Sequence, residues 1–387
     1  MATGSSSTCR EPKKTMQTSH LLREVLPNLP SEIIYDILSR LPVKSLLRFR
    51  CVSKSLCSLI SEPEFAKTHL SLASRNNVYG HHKLILTEQD RNGVDCSLYS
   101  ISNEQSDTAV KLDCLVKGPD CGERIVGCCD GLVCIVSERE VRIWNPSTRK
   151  SKRFPNVETQ NLSVGRYVRY GFGYAESIDD YKVVGFFRDV NTGLEFEAQV
   201  CTLRTHSWRR IGSFPFCLPS DGLVTNLNGS GIFVSGALHW FLGGNGGSII
   251  VSLDLVNVTF GEVLEPHYQR GSLDQIGLDV LNGCLCTLAT YDDCTDVWVM
   301  KEYGIRESWA KLITITYAAH PFDGQYSQPL CILANGEILL HIQSQLVLYN
   351  YIDGTFSYPM IHIFSSFSVH TYVESLVLTD TDADSGV

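Results

Sequence analysis

The stretch LPSEIIYDILSRLPVKSLLRFRCVSKSLCSLI, residues 29–60, carries 17 apolar residues among 32. Ile33, Ile37 and Leu41 recur at helical spacing, which predicts an amphipathic helix, and Pro42 ends it because proline lacks an amide hydrogen. Two further short helical phases follow. Three short helices make a small core that is marginal alone. The stretch therefore predicts a helical module whose remaining apolar surface is covered by a partner or by a neighbouring domain.

The polar positions of this module are mostly basic, which favours an acidic partner with an apolar face of its own. They are Arg40, Lys44, Arg48, Arg50 and Lys54, against Glu32 and Asp36. Two other interpretations remain open. The helices could form a helix-turn-helix that reads DNA, although the rest of the chain is acidic, or they could cap the larger domain.

The order and spacing of these residues resemble the plant F-box. The matching residues are LPxEII from Leu29, ILxRLPVKSL from Ile37 and RCVSK from Arg50. The resemblance implies a helical domain that binds a Skp-type adaptor, which joins it to a cullin and a RING protein. It also implies that the following residues face the adaptor or support that face: Leu29, Pro30, Ile33, Leu38, Leu41, Pro42, Leu46, Leu47, Val52 and Leu56. Many relatives carry tryptophan where this chain has Leu56.

From about residue 80 the chain changes to short β-type runs separated by turn residues. Asn-Gly or Asp-Gly pairs, which supply the positive φ angles of tight hairpins, lie between such runs. They begin at Asn92, Asp130, Asn282, Asn335 and Asp353. The pattern predicts a large all-β domain.

An aromatic motif repeats along this domain and indicates its architecture. SWRRIG, TFGEVL, SWAKLI and TFSYPM carry aromatics at 208, 260, 309 and 356, with separations of 52, 49 and 47 residues. Weaker copies lie around SLYSI at 97 and VRIWNPSTRK at 141. A period near 50 with several strands per unit predicts a β-propeller of about six blades, closed by TYVESLVL at 371. A large sandwich with accidental spacing is the alternative.

The β region resembles the plant F-box-associated domain, often described as kelch-like. The resemblance lies in CCDGLVCI, WNPSTRK, YGFGY, DDYKVV, CTLRTHSW and GALHW. The paired glycine of a kelch blade does not recur here. Relatives in this family select immune receptors, pollen ribonucleases and metabolic or transcriptional targets. We expect a disordered segment at 1–25, the F-box at 26–72, the propeller at 80–380 and a short tail at 381–387.

The composition argues against several other functions. A net charge of -9 and a pI near 5.7 disfavour nucleic acid, and no apolar run suggests membrane insertion or a signal peptide. The fifteen cysteines are therefore expected to be reduced, and the protein to lie in the cytoplasm, the nucleus or both. The acidic pairs at 179 and 292, His239 and the glycine-rich 243–247 match no catalytic, metal or phosphate site. We expect no enzyme activity, no cofactor and no metal.

The sequence therefore predicts a substrate receptor of a Skp–cullin–F-box ubiquitin ligase that captures a target protein through loops on one propeller face. The candidate loops are 154–169, 188–194, 215–230 and 242–248. The first choice is 215–230, with Phe214, Phe216, Leu218 and Leu223 as the contact residues at or beside it. The rivals are a propeller that binds carbohydrate or a metabolite, a propeller enzyme, and an adaptor-bound protein outside ubiquitination.

Overall fold

Within the described residues, the helical module near the start of the chain contains four helices. The computed structural model of the protein describes residues 29–75, 82–90, 93–100, 110–112, 124–137, 140–155, 169–188, 196–213, 229–244, 247–268, 273–317, 327–333, 335–342, 345–359 and 367–377. The helices are α1 (Ser31–Ser39), α2 (Val43–Phe49), α3 (Lys54–Ser61) and α4 (Pro63–Arg75). The chain divides into two compact units, residues 1–41 and 42–387, so α1 lies in the first unit and the other helices in the second.

Proline and serine set the starts of these helices. Pro30 and Pro42 each stand immediately before a helix, where a missing amide hydrogen costs nothing because the first helical amides have no intrahelical acceptor. Ser53 caps α3 by accepting a hydrogen bond from the amide of Leu56 at 3.2 Å. The first three helices agree with the three helical phases of the sequence, and α4 was not predicted.

The β domain consists of six four-stranded sheets within the described residues, which we number as blades 1 to 6. Blade 1 holds β24 (Phe367–Val373), β1 (His82–Asp90), β2 (Gly93–Ser100) and β3 (Val110–Leu112). Blade 2 holds β4 (Arg124–Cys129), β5 (Leu132–Val136), β6 (Glu140–Asn145) and β7 (Lys150–Pro155). Blade 3 holds β8 (Arg169–Ala175), β9 (Asp180–Arg188), β10 (Phe196–Thr202) and β11 (Trp208–Ser213).

The second half of the β domain repeats the same four-stranded pattern. Blade 4 holds β12 (Ile232–Val234), β13 (Ala237–Gly244), β14 (Gly247–Asp254) and β15 (Thr259–Val263). Blade 5 holds β16 (Gln275–Leu281), β17 (Cys284–Thr290), β18 (Cys294–Met300) and β19 (Trp309–Thr316). Blade 6 holds β20 (Ser327–Ile332), β21 (Ile338–Ile342), β22 (Gln345–Asn350) and β23 (Thr355–Ser357).

The innermost strands of the six blades form a closed ring. Each of β24, β4, β8, β12, β16 and β20 contacts the next one in that order, and β20 contacts β24. The ring is closed by antiparallel pairing of β24 with β1, in which Leu84 faces Thr371. The expected propeller of about six blades, and its closure by the C-terminal strand, are therefore confirmed, and the sandwich alternative is excluded.

The repeated aromatics lie on the outermost strands and pack between blades. Trp208 contacts a buried cluster built from blades 2 and 3, and Phe260 contacts one built from blades 3 and 4. Trp309 and Phe356 occupy the same position between blades 4 and 5 and between blades 5 and 6. The copy proposed at SLYSI was placed wrongly, since it lies on β2, the third strand of its blade rather than the fourth, outermost one.

Of the predicted hairpin pairs, Asn335-Gly336 and Asp353-Gly354 have a positive φ only at the glycine, so they are not type I′ turns. Two other pairs have the expected geometry. Asp130 and Gly131 link β4 to β5 with φ of 53° and 76°, and Asn282 and Gly283 link β16 to β17 with φ of 51° and 78°. Both central residues of a type I′ turn need positive φ, so the sequence pair determines the turn.

Blade 2 holds the C-terminal segment in place through a buried asparagine. The side-chain amide of Asn145 donates hydrogen bonds to the carbonyl oxygens of Ser375 at 3.2 Å and Val377 at 2.8 Å. Its own oxygen accepts from the amide of Ser147 at 2.8 Å. Since Asn145 has no exposed surface, these partners replace the water that it loses on folding. Asn145 of the WNPSTRK motif thus fixes the position of the segment that follows β24.

Candidate interaction sites

The first unit exposes apolar side chains on α1 and just before it. Leu29, Ile33 and Ile37 are 49%, 47% and 48% exposed, whereas Leu38 is buried. Because Ile33 and Ile37 are four residues apart, they lie one above the other on one face of the helix. A helix of nine residues with such a face exposed is the expected form of an interface element rather than of an independent fold.

The second unit begins with another exposed apolar pair. Phe49, at the end of α2, is 37% exposed and Val52, between α2 and α3, is 68% exposed. Val43 and Leu46 on the same short helix are buried, so α2 divides its apolar residues between the core and the surface.

The predicted adaptor contacts fall into three classes of burial, and their role stays a prediction. Leu29, Pro30, Ile33, Pro42 and Val52 are exposed; Leu41, Leu47 and Leu56 are half-buried; Leu38 and Leu46 are buried. The buried pair can only support a binding face from beneath. Ile37 and Phe49 are exposed but were not among the predicted contacts, although the helical spacing of Ile37 from Ile33 could have identified it.

Helix α4 is joined to blade 3 by a small polar cluster. The ammonium of Lys67 lies 2.9 Å from a carboxylate oxygen of Asp179, and the other oxygen accepts from the Tyr174 hydroxyl at 2.5 Å. Arg204 donates to the backbone carbonyls of Ile178 and Asp179. These donors lower the pKa of Asp179, which keeps it charged opposite Lys67.

The topology of the blades defines two opposite faces of the propeller. Because each of blades 2 to 6 is a meander of four consecutive strands, the chain leaves such a blade on the side where it entered. We call this side the entry face; the inner strands begin there, at Arg124 of β4 and Arg169 of β8. The opposite side, the far face, carries the first turn of each of blades 2 to 6, including Asp130 and Asp179. The contact of Lys67 with Asp179 therefore places α4 at the far face.

All four predicted capture loops are flanked by strand ends at the entry face. The segments 154–169 and 215–230 join one blade to the next, and 188–194 and 242–248 join a second strand to a third. In a meander the strands that flank both kinds of connection end and begin on the entry side. Most residues of these loops, with the predicted contacts Phe214, Phe216, Leu218 and Leu223, lie outside the described residues.

A central channel of about 110 Å³ runs between the inner strands, and sequence reasoning missed it. Every inner strand contributes to its lining, including Cys128 of β4, Phe172 of β8, Asp279 of β16, Gln328 of β20 and His370 of β24. No local motif marks these positions, because residues from different blades meet only when the ring closes.

The channel holds a buried carboxyl group with an unusual titration. Asp279 is only 8% exposed, and burial raises its pKa to about 7. The amide of Val280 at 2.8 Å and the side chain of Gln328 oppose that shift by donating to the carboxylate. Burial also lowers the pKa of His370 to about 4, so this imidazole is neutral at physiological pH.

The cysteines and the metal-binding residue types do not assemble into reactive sites in the part that the structure describes. Burial raises the pKa of Cys134 and Cys286 well above that of an exposed thiol, which disfavours the nucleophilic thiolate. The described residues contain no group of three or more His, Cys, Asp or Glu side chains that could hold a metal ion. None of the described helices combines the length and apolar character needed to cross a membrane.

Comparison with protein families matches both parts of the chain. The F-box domain family matches residues 26–68, which include α1 to α3 and the first half of α4. The F-box associated beta propeller domain family matches residues 87–378, three quarters of the chain. The chain belongs to the F-box proteins with an F-box-associated propeller. The family resemblance of the helical and β regions is thereby confirmed.

Individual relatives show the same arrangement over nearly their whole length. An F-box/kelch-repeat protein of Arabidopsis thaliana is 34% identical over 344 residues, covering 86% of this chain and 90% of that protein. F-box protein CPR1 of Arabidopsis thaliana is 31% identical over 380 residues, covering 91% and 89%. Among solved structures, a chain of a nidogen/laminin complex covers 76% of this F-box protein and 99% of itself, at 10% identity and a TM-score of 0.43.

Proposed function

We propose that this F-box protein is the substrate-recognition subunit of a Skp–cullin–F-box ubiquitin ligase. Its F-box binds a Skp-type adaptor, which brings a cullin and a RING protein, and its propeller captures a target protein for ubiquitination and proteasomal degradation. The observation that carries the proposal is the exposed apolar surface of a matched F-box, seen at Ile33 and Ile37 in the first unit and at Val52 in the second.

The two faces of the propeller support a division of labour between adaptor and target. Lys67 connects α4 to the far face, and Lys44 of α2 lies near Glu374, just beyond the far end of β24. The entry face, where the candidate capture loops begin and end, is thus turned away from α2 and α4. A target held there does not compete with these helices for space.

The protein itself performs no bond chemistry in this proposal. It raises the effective concentration of the target beside the enzymes that the adaptor brings, which is a gain of proximity rather than of catalysis. We place this activity in the cytoplasm, the nucleus or both, where ubiquitin ligases of this type work. The target protein is unidentified.

Co-expression of the full chain with a plant Skp-type adaptor tests the proposal. Val52→Asp puts a charge on a side chain that is 68% exposed, and Ile352→Asp does the same on a propeller turn at 81% exposure. A buried contact at an interface centre is worth about 2 kcal/mol or more, so we expect Val52→Asp to weaken the complex at least about 30-fold. Ile352→Asp, the matched control, should bind as the wild type does.

The outcomes of this experiment separate the rival interpretations. Leu46→Asp is unsuitable because Leu46 is fully buried and its loss would unfold the module. A folded wild-type protein that binds no adaptor would refute the proposal. A stable adaptor complex that recruits no cullin and RING protein would instead indicate an adaptor-bound role outside ubiquitination.

A further inference from the structure

The central channel has the composition of a ligand site rather than that of a packed core. Its volume of about 110 Å³ is several times the 10–15 Å³ that one water molecule requires. Phe172, Phe233 and Leu278 supply apolar wall, and Ser230, Gln328 and Thr371 supply hydrogen-bonding groups. Apolar walls with a few convergent polar groups are typical of small-molecule sites.

Among the residues that the structure describes, Asp279 is the only carboxyl group that lines the channel, and its partners there are neutral. Val280 donates its amide to Oδ1 at 2.8 Å, and Gln328 of the neighbouring blade donates its side-chain amide. The other titratable side chains in the lining are Cys128 of β4 and His370 of β24, with His341 of β21 beside His370. Outside the lining, Cys286 of β17 stands opposite Asp279 in the sheet, and burial keeps it a neutral thiol. The lining from β8 and β12 is uncharged.

We propose that the channel binds a small molecule that carries a protonated amine, with Asp279 as the counter-ion of that amine. A buried carboxylate without a cation beside it is costly, and an ammonium group that enters the channel removes this cost by forming a charge-assisted hydrogen bond. Neutral His370 and Gln328 can accept the remaining ammonium protons. The walls formed by Phe172 and Leu278 favour a short alkyl chain next to the amine.

The protonation state of Asp279 gives this site a distinctive pH dependence. Burial raises the pKa of Asp279 to about 7, so at pH 6 most molecules carry the neutral acid, which attracts a cation weakly. Between pH 6 and pH 8 the carboxylate fraction rises about tenfold, because these values lie one unit on either side of that pKa. His370 and His341, whose pKa values burial lowers to about 4, stay neutral throughout this interval.

Titration of the full-length protein with propylamine and with propan-1-ol tests the proposal. The two probes have the same size, and only propylamine is cationic over this pH range. Saturation-transfer NMR with competition measures their affinities at pH 6 and pH 8. We expect propylamine to bind about tenfold more tightly at pH 8, and propan-1-ol to bind weakly and equally at both values.

Two variants locate the effect. Asp279→Asn should abolish both the binding of propylamine and its pH dependence, whereas Asp292→Asn, which alters an exposed carboxylate in the same blade, should change neither. If Asp279→Asn fails to fold, the pH profile of the wild type still decides the matter. Equal affinity for the two probes, or no change between pH 6 and pH 8, would overturn the proposal. This site is independent of adaptor binding, so it stands or fails separately from the ligase role.

Discussion

Replacing Gly131 with alanine should weaken the ring at its closure. Gly131 is the second residue of the β4–β5 turn, and a Cβ atom there would lie 2.3 Å from Oγ of Ser375 and 2.6 Å from the carbonyl oxygen of Val373. Gly236 holds the same position in the β12–β13 turn, with φ of 78° against 76°, and a Cβ there meets nothing within 4 Å. Gly236→Ala is therefore a matched control.

The structure gives the magnitude of the difference between the two variants. Both introduce alanine at a left-handed φ, which costs about 1–2 kcal/mol. Only Gly131→Ala also forces Ser375 to move, and this residue is fully buried and bonded to Asn145 through its carbonyl at 3.2 Å. Overpacking of this kind costs about 1–3 kcal/mol, and each lost hydrogen bond about 1 kcal/mol. We expect an additional destabilisation of about 3 kcal/mol for Gly131→Ala.

Thermal unfolding of the two variants and the wild type measures this difference. For a domain of this size, about 3 kcal/mol lowers Tm by roughly 6 °C beyond the effect of Gly236→Ala. Combining Gly131→Ala with Ser375→Gly removes the Ser375 atoms that clash but leaves the carbonyl of Val373, so it should restore part of the loss. Equal Tm values for the two alanine variants would refute the argument that blade 2 and the C-terminal segment are packed this tightly.

Three further predictions concern charges. Burial lowers the pKa of His239 to about 4, so the unfolded chain takes up its proton first as the pH falls below about 6.5. The free energy of unfolding, measured by urea titration, should therefore fall as the pH is lowered from 6.5 towards 4. It should fall less in the His239→Gln variant. The effect of Asp279 on the free energy of unfolding has the opposite sign, because its pKa is raised to about 7. Stability should fall by on the order of 4 kcal/mol as the pH rises from about 4 to 7. Asp279→Asn should remove most of this fall in the same urea titrations. Asp179→Asn should raise hydrogen exchange in helix 63–75 by up to about fivefold, because an exposed ion pair contributes at most about 1 kcal/mol. Protection unchanged in Asp179→Asn would contradict the role given to this contact.

The elements that could be predicted from sequence are those set by neighbouring residues. The turn at Asn282 follows from the conformational freedom of Asn-Gly, and the first helix follows from the spacing of Ile33 and Ile37 and the break at Pro42. The propeller itself followed from a local signal that recurs, since the outer strands of blades 3 to 6 each begin at or beside an aromatic residue that fills the gap between blades. The assignment of SLYSI as a copy of the repeated motif was wrong because a short strand with alternating residues has the same sequence pattern at any position in a blade.

The features that could not be predicted depend on contacts between distant parts of the chain. Asp279, Gln328 and His370 lie on three successive inner strands, and nothing within any one blade distinguishes them. Asn145 was visible in its motif, but its function depends on Ser375, 230 residues further along the chain. Sequence patterns indicate which face of a strand is buried. The channel lining and the hydrogen bonds of Asn145 depend instead on which distant segment of the chain packs against that strand.

The pairing of Leu84 with Thr371 has a consequence for the synthesis of the protein on the ribosome. These partners are 287 residues apart. At a translation rate of about 5–20 residues per second, β24 is synthesised roughly 15 to 60 s after β1. The helices at residues 31–75 are complete before β1 is translated. A nascent chain therefore carries a finished F-box long before its propeller can close, and the edge of β1 that β24 later covers stays open, and prone to unwanted strand pairing, throughout that interval.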